Sequence, residues 1–428
     1  MKVRTGIWAA LTAVAAVAAL YVPYANGEAT SRPSHIVLTP IGDPAVSAAV
    51  TWRASAAASS ASAQIAPASP GPDIEKNATT VSASSRALTV GETTYRHYRV
   101  TFANLRPDTL YAYRVANGTS WSEWFQFRTA AREPKPYRFI YLGDEQTDIR
   151  GRCARVVRQA LQDCPDARLI LHGGDLTNTA SSDQEWAEWF DMLGWASASI
   201  LNVPAIGNHQ YERISPTSEQ RRLTPHWNAI FELPHNGVRE LEGSSYTFDY
   251  QGVRFVVLNT MEKIVEQAAW LDTLLTGNPC RWTVVMFHHP IYSGAKNRDN
   301  AEIRAALKPI LDHHRVDLVL TGHDHVYGRS NPSSGPAKGH TVYVTSVTGA
   351  KQYDAGNRDW AARFGQDLQL YQIIAVNGSL LTFQARTADG RLYDAFELRK
   401  RGSRTNFLDR SGSLGPERLR GGVKPATP

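Results

Sequence analysis

The chain has 428 residues, 42% of them hydrophobic and 10% aromatic, enough to core two folded units rather than one. Its formal net charge of +6 is concentrated in residues 399–428, where eight Lys/Arg face only Asp409 and Glu417, so the body is close to neutral. That distribution describes a basic tail and argues against a nucleic-acid-binding surface.

At the N-terminus, Lys2 and Arg4 precede an apolar run from about Ile7 to Val22, then Ala25-Asn26-Gly27. A charged start, a short apolar core and small residues at −3 and −1 predict a secretory signal peptide over 1–27. The rival reading is an uncleaved anchor, but the run is short of the ~20 residues a span needs. No other stretch is expected to cross a bilayer, so the mature chain is expected to be exported, periplasmic or secreted, without a membrane span.

Residues 33–130 read as all-β. Pro33–Leu38, Ala48–Arg53 and Tyr98–Phe102 are strand-like, and residues 54–72, rich in Ala, Ser, Pro and Gly, suit a long loop or frayed edge. Leu105-Arg106-Pro107-Asp108-Thr109 leads into alternating aromatics at Tyr111 and Tyr113, the pattern of a tyrosine that closes a sandwich corner. This stretch resembles a fibronectin type III-like β-sandwich and carries no chemistry of its own. Residues 131–136, with Pro134 and Pro136, form a linker.

From 137 to about 398 the pattern becomes short apolar strands alternating with helices, which predicts a layered α/β domain. Arg152 to Leu161 is helical, and a second helix carries Trp186, Trp189, Phe190 and Leu193 on one face. Tyr246 to Leu258 reads as a hairpin. The tail, 399–428, is expected to be disordered. Of the three cysteines, Cys153 and Cys164 flank a helix and would lie ~16 Å apart, too far to bridge. Cys164 and Cys280 each precede a predicted strand; a bridge between them and free buried thiols are both open. Lean cysteine use and the leader together point to a bacterial periplasm.

Five apolar runs end in turns bearing metal-capable side chains: Gly143-Asp144, Gly174-Asp175, Gly207-Asn208-His209, His288-His289 and Gly322-His323-Asp324-His325. Ligands bind at the carboxyl ends of strands in open α/β sheets, so these turns should converge. If the last motif is extended, His323 and His325 share a face with Cα atoms roughly 6.5 Å apart. Each imidazole then reaches one of two ions ~3.5–4 Å apart. Asp144, Asp175, Asn208, His288, His323 and His325 are the candidate metal ligands, a set suited to Fe, Zn or Mn.

These motifs resemble the GD, GDxx, GNH, VxxH and GHxH series of the calcineurin-like metallophosphoesterases. With the fibronectin-like N-domain, the chain is most similar to their purple acid phosphatase branch. The resemblance implies that Asp175 bridges two metal ions, that Asp144 and His325 hold the first, and that Asn208, His288 and His323 hold the second. It implies direct hydrolysis of phosphomonoesters by a metal-bound hydroxide, on a phosphorylated small-molecule substrate. His209 and His289 are the candidate catalytic residues, as phosphate contacts or proton donors, or else they orient ligands. Arg150 and Arg152 either attract anionic substrate or mark an exposed helix start. His172 reads as a strand residue.

Two positions depart from the family. Where the purple enzymes carry a ferric-binding tyrosine, this chain has Asn178; where other members carry a histidine two residues past the first aspartate, it has Gln146. Either amide offers an oxygen, a weaker ligand than phenolate or imidazole, so the first ion is expected to be loose or not iron. Two other readings stay open: a phosphodiesterase or pyrophosphatase with the same metal site, its preference set by loops 210–240, 293–300 and 330–340; and a non-catalytic binding protein with a degenerate first site.

Overall fold

The computed structural model describes residues 32–54, 60–215, 217–335, 337–402 and 404–420. The expected signal peptide lies outside them. Among the described residues, no helix is long and apolar enough to cross a membrane.

The chain folds as an N-terminal β-sandwich followed by a mixed α/β unit. One sandwich sheet orders Ser34–Thr39, Ala48–Ala54, Thr93–Phe102 and Ser84–Val90; the other is built on Ala61–Pro67 and Leu110–Asn117. The tyrosine corner forms, with the Arg106 N–H donating to the Tyr111 hydroxyl at 2.9 Å. The loop expected across 54–72 is corrected: Ala61–Pro67 is a strand paired on both sides, with Ala63 and Ile65 buried. Small residues hid this period-2 burial, because alanine packs on a sheet face without announcing it.

The α/β unit stacks two seven-stranded sheets. The first orders Leu201–Pro204, Leu169–His172, Tyr137–Leu142, Leu370–Asn377, Leu380–Thr387, Leu392–Arg401 and Arg404–Asp409. In the second, Val253–Val257, Trp282–Met286, Leu318–Thr321 and Val342–Thr345 run parallel. Phe139 of the first sheet meets Phe255 of the second edge to face at 5.4 Å. Alternation sorts the second sheet's side chains: Trp282, Val284 and Met286 enter the inter-sheet core, while Val285 and Phe287 pack with Leu271 and Leu307 of the Ile264–Leu275 and Ala301–His313 helices.

The sandwich is fastened to this unit through buried polar bonds. The Tyr113 hydroxyl donates to the Ala198 carbonyl at 2.7 Å, and Ser197 Oγ to the Ile36 carbonyl at 2.8 Å.

Two further expectations change. The tail is not disordered from 399: Arg404–Asp409 adds an edge strand, and residues as far as 420 are fixed by specific bonds. The Phe364 N–H donates to Glu417, and Arg420 pairs with Asp367. Its basic residues therefore find acids on the body, which a reading by composition misses. All three cysteines are free, so Cys164 and Cys280 are not bridged.

Candidate metal centre

The parallel strands of both sheets end at one edge, and the five motif turns meet there. Gly143-Asp144 follows Tyr137–Leu142, Asp175 follows Leu169–His172, and Asn208 opens a short 3₁₀ turn after Leu201–Pro204. His288 follows Trp282–Met286, and His323 and His325 follow Leu318–Thr321. The carboxylates crowd their neighbours' glycines: a Cβ on Gly322 would strike Asp144 Oδ1, and one on Gly207 would strike Asp175.

The last turn is not extended. His323 and His325 both have positive φ, 71° and 48°, as does Asp175 at 52°. Left-handed backbone at a non-glycine residue is strained and persists only where surroundings hold it. Here they do: the His323 N–H donates to Asp144 Oδ1 at 2.7 Å and its carbonyl accepts from Arg298 at 2.8 Å. The Asp175 N–H donates to Gln210 Oε1 at 2.9 Å. The bend sends the two histidines into different clusters.

Those clusters share Asp175. In one, Asp175, His288 and His323 bring ligand atoms within 4.8 Å of one another; in the other, Asp144, Asp175 and His325 do. His288 Nε2 lies 3.2 Å from each of Asp175 Oδ2, Asn208 Oδ1 and His323 Nδ1. His325 Nε2 lies 2.9 Å from Asp144 Oδ2. Backbone carbonyls set the tautomers: Gly173 O sits 2.9 Å from His288 Nδ1, and Lys351 O 2.8 Å from His325 Nδ1. A carbonyl only accepts, so each Nδ1 carries the proton and each Nε2 faces its cluster, as metal-ligating histidines require.

The electrostatics call for positive charge. Burial alone would lower the His288 pKa, but Asp175 and Asp144 raise it to about 9. Burial would raise Asp175, yet His288 pulls it down to about 2. Asp144 Oδ2 is buried without accepting a hydrogen bond. Carboxylate, amide and imidazole donors converging in this state fit a pair of cations.

All six predicted ligands are thus brought together. His209 lies at the mouth: its N–H donates to Asp175 Oδ1 at 2.8 Å, its Nδ1 faces the Asn178 carbonyl at 2.5 Å, and its Nε2 lies 4.0 Å from Asp175 Oδ2. His289 Nδ1 is 2.8 Å from Thr260 Oγ1, and its ring packs 4.2 Å from that of His323. Burial, then His288, lowers its pKa to about 3. Arg150 and Arg152 take the bland role, in exposed ion pairs with Asp191 and Asp148.

Chemistry missed in the sequence lies behind the ligands. Buried Glu145 accepts from His172 Nδ1 at 2.9 Å and from Trp189 Nε1 at 3.1 Å, and His172 Nε2 meets Asn202 Oδ1 at 3.1 Å. An acid directly after Asp144, at the end of an apolar strand, was the available signal. Buried Asp324 accepts from the Gly294 N–H at 2.6 Å and ties the 293–300 loop to the histidine turn. In front of His209 a cleft of about 460 Å³ opens between Asn178–Ser181 and the Tyr211–Arg213/Arg221–Leu223 hairpin.

Comparison with known proteins agrees with this geometry. Residues 33–129 match the purple acid phosphatase N-terminal domain, and residues 127–327 the calcineurin-like phosphoesterase domain. The chain belongs to the calcineurin-like family, in its purple-acid-phosphatase-like branch. It is 29% identical over 270 residues to an uncharacterized protein of Mycobacterium tuberculosis, covering 54% of this chain and 50% of that one. It is 28% identical over 244 residues to purple acid phosphatase 21 of Arabidopsis thaliana, covering 55% and 53%. The chain therefore spans about half the length of the curated relatives it matches. Its fold is shared with a purple acid phosphatase from yellow lupin (Lupinus luteus) seeds, with TM-score 0.72, 18% identity, and coverage of 86% and 74%. It is also shared with PhoD, with TM-score 0.65, 14% identity, and coverage of 93% and 95%.

Proposed function

We propose that this protein hydrolyses phosphomonoesters at a two-cation centre held by Asp144, Asp175, Asn208, His288, His323 and His325. The observation that carries the reading is the pair of Asp/His clusters sharing Asp175. Two bound cations, drawn from Fe, Zn or Mn, would supply a nucleophile from water near neutral pH and neutralise the phosphoryl oxygens.

The chain's own groups supply position and protons. Asp175, at the junction, sets the spacing of the two clusters, and the Gly173 and Lys351 carbonyls keep His288 and His325 in the ligating tautomer. His209, with the Nδ1 proton committed to the Asn178 carbonyl, turns Nε2 toward Asp175, and in its imidazolium form that nitrogen donates its proton to the departing alkoxide oxygen and leaves the ring neutral. His289, held by Thr260 against His323, acts by orienting that ring. The cleft's hairpin rim carries Arg213 and Arg221, which favour a dianionic monoester terminus over a monoanionic diester. We further propose export, on the charged and apolar pattern of residues 2–27.

The test is hydrolysis of p-nitrophenyl phosphate beside bis-p-nitrophenyl phosphate by metal-reconstituted protein. Faster turnover of the monoester is expected; preference for the diester would overturn the substrate assignment.

A further inference from the structure

We infer that Gln146, and not Asn178, completes the first cation site by presenting its side-chain oxygen, giving that site an oxygen-rich shell for a hard divalent ion. The inference rests on the metal-dependent function proposed above.

Gln146 is fully buried, two residues beyond Asp144. Its Nε2 lies 3.1 Å from Asp175 Oδ2 and 3.1 Å from His325 Nε2, two of the ligand atoms of the first cluster. Its Oε1 is buried without a hydrogen-bond partner. The two contacted atoms are acceptors, because the Lys351 carbonyl fixes the proton on His325 Nδ1. Acceptors converging on one point take either an N–H donor or a cation, and a carboxamide serves both cases. A half-turn about its terminal torsion exchanges oxygen for nitrogen at nearly the same place. Oε1 then stands about 3 Å from both neighbours, the edge of a ligand shell with cation–ligand bonds of about 2.1 Å. With a cation bound between these atoms, the same half-turn gives the orphaned oxygen a partner.

Asn178 does not compete. It is exposed, and its backbone is committed on both sides: its N–H donates to Glu185 Oε2 at 2.5 Å and its carbonyl faces His209 Nδ1 at 2.5 Å. Its place is the wall of the cleft in front of His209.

The result is an asymmetric centre. The first site offers oxygens from Asp144, Asp175 and Gln146 with one nitrogen from His325. The second offers oxygens from Asp175 and Asn208 with two nitrogens from His288 and His323. Carboxylate and carbonyl oxygens suit Mn or Mg, whereas imidazole-rich shells suit Zn or Fe. The first ion should therefore be the weaker and more exchangeable one, and the margin by which Zn²⁺ outbinds Mn²⁺ should be smaller there than at the second site.

The test is titration of metal-stripped full-length protein with Mn²⁺ and Zn²⁺, followed by calorimetry and Mn²⁺ electron paramagnetic resonance. Wild type should show two unequal sites. Gln146→Leu should weaken one of them about 10- to 100-fold and leave the other unchanged. Gln146→His, which keeps a donor there, should restore that site and turn its preference toward Zn²⁺. Asn178→Ala should change neither site. Two unaltered sites in Gln146→Leu, or loss of the weaker site in Asn178→Ala, would overturn the assignment while leaving the two-cation function standing. A wild type that binds no ion would remove both.

Discussion

His288 Nε2 lies 3.2 Å from Asp175 Oδ2, and the two groups balance each other's charge in full burial. Replacing Asp175 with asparagine keeps an acceptor for the His209 N–H but removes the charge shared by both clusters. Loss of a group that merely orients a ligand costs about 10- to 100-fold in metal affinity or activity, so this ligand should cost more. Asp175→Asn should lose turnover by at least about a hundredfold and bind fewer ions, with far-ultraviolet circular dichroism unchanged. A variant that fails to fold would mark the residue as structural.

His209 makes a different prediction, because the proposed role is proton donation rather than ligation. His209→Ala should keep both ions and lose about 10²- to 10⁴-fold in kcat for alkyl phosphates, whose leaving groups need a proton. The loss should be smaller for p-nitrophenyl phosphate, whose leaving group is stable as an anion. Equal losses on both substrates would contradict the role.

Arg221 lines the cleft beside His209 and has no ion pair among the described residues, whereas Arg213, opposite it in the hairpin, pairs with Glu219. Arg221→Ala should raise KM for nucleoside monophosphates by roughly threefold to tenfold, in keeping with a screened surface charge, while kcat holds. The effect should shrink as salt is added.

The contact between sandwich and α/β unit should be acid-sensitive. His35 stacks 4.5 Å from Phe190, and His97 is buried on Thr93–Phe102. Burial, then Arg53, lowers their pKa values to about 2 and about 3. Both stay neutral in the folded chain yet take up protons near pH 6.5 when unfolded. Below that pH the unfolded state binds more protons, so stability falls as pH falls, by up to about 1.4 kcal/mol per pH unit for each group. Thermal melts from pH 7.5 to 4.5 should show this decline, and His97→Gln should flatten it. A melting temperature independent of pH across that window would contradict the account.

The strand-end motifs were legible because each is local: an apolar run, a glycine and a ligand side chain within a few residues. That is why Asp144, Asp175, Asn208, His288, His323 and His325 emerged together. Backbone geometry was not legible. The extended pairing imagined for His323 and His325 is a left-handed bend, held by Asp144 and Arg298 from distant parts of the chain. Glu145, His172 and Asn202 became a network only once three strands lay side by side. The Ala61–Pro67 and Arg404–Asp409 strands were missed for a related reason. One hides its alternation in small residues, and the other looks like a basic tail until its partners on the first sheet are known.

The central claim is that two cations at the Asp144/Asp175/His325 and Asp175/Asn208/His288/His323 clusters carry the chemistry. The most direct measurement adds metal by equivalents to stripped protein and follows bound ions and p-nitrophenyl phosphate turnover together. Turnover that rises steeply only as the second equivalent binds, to a final two ions per chain, is the predicted result. Fewer than about one ion per chain with no turnover, or full turnover in the presence of a chelator, would contradict it.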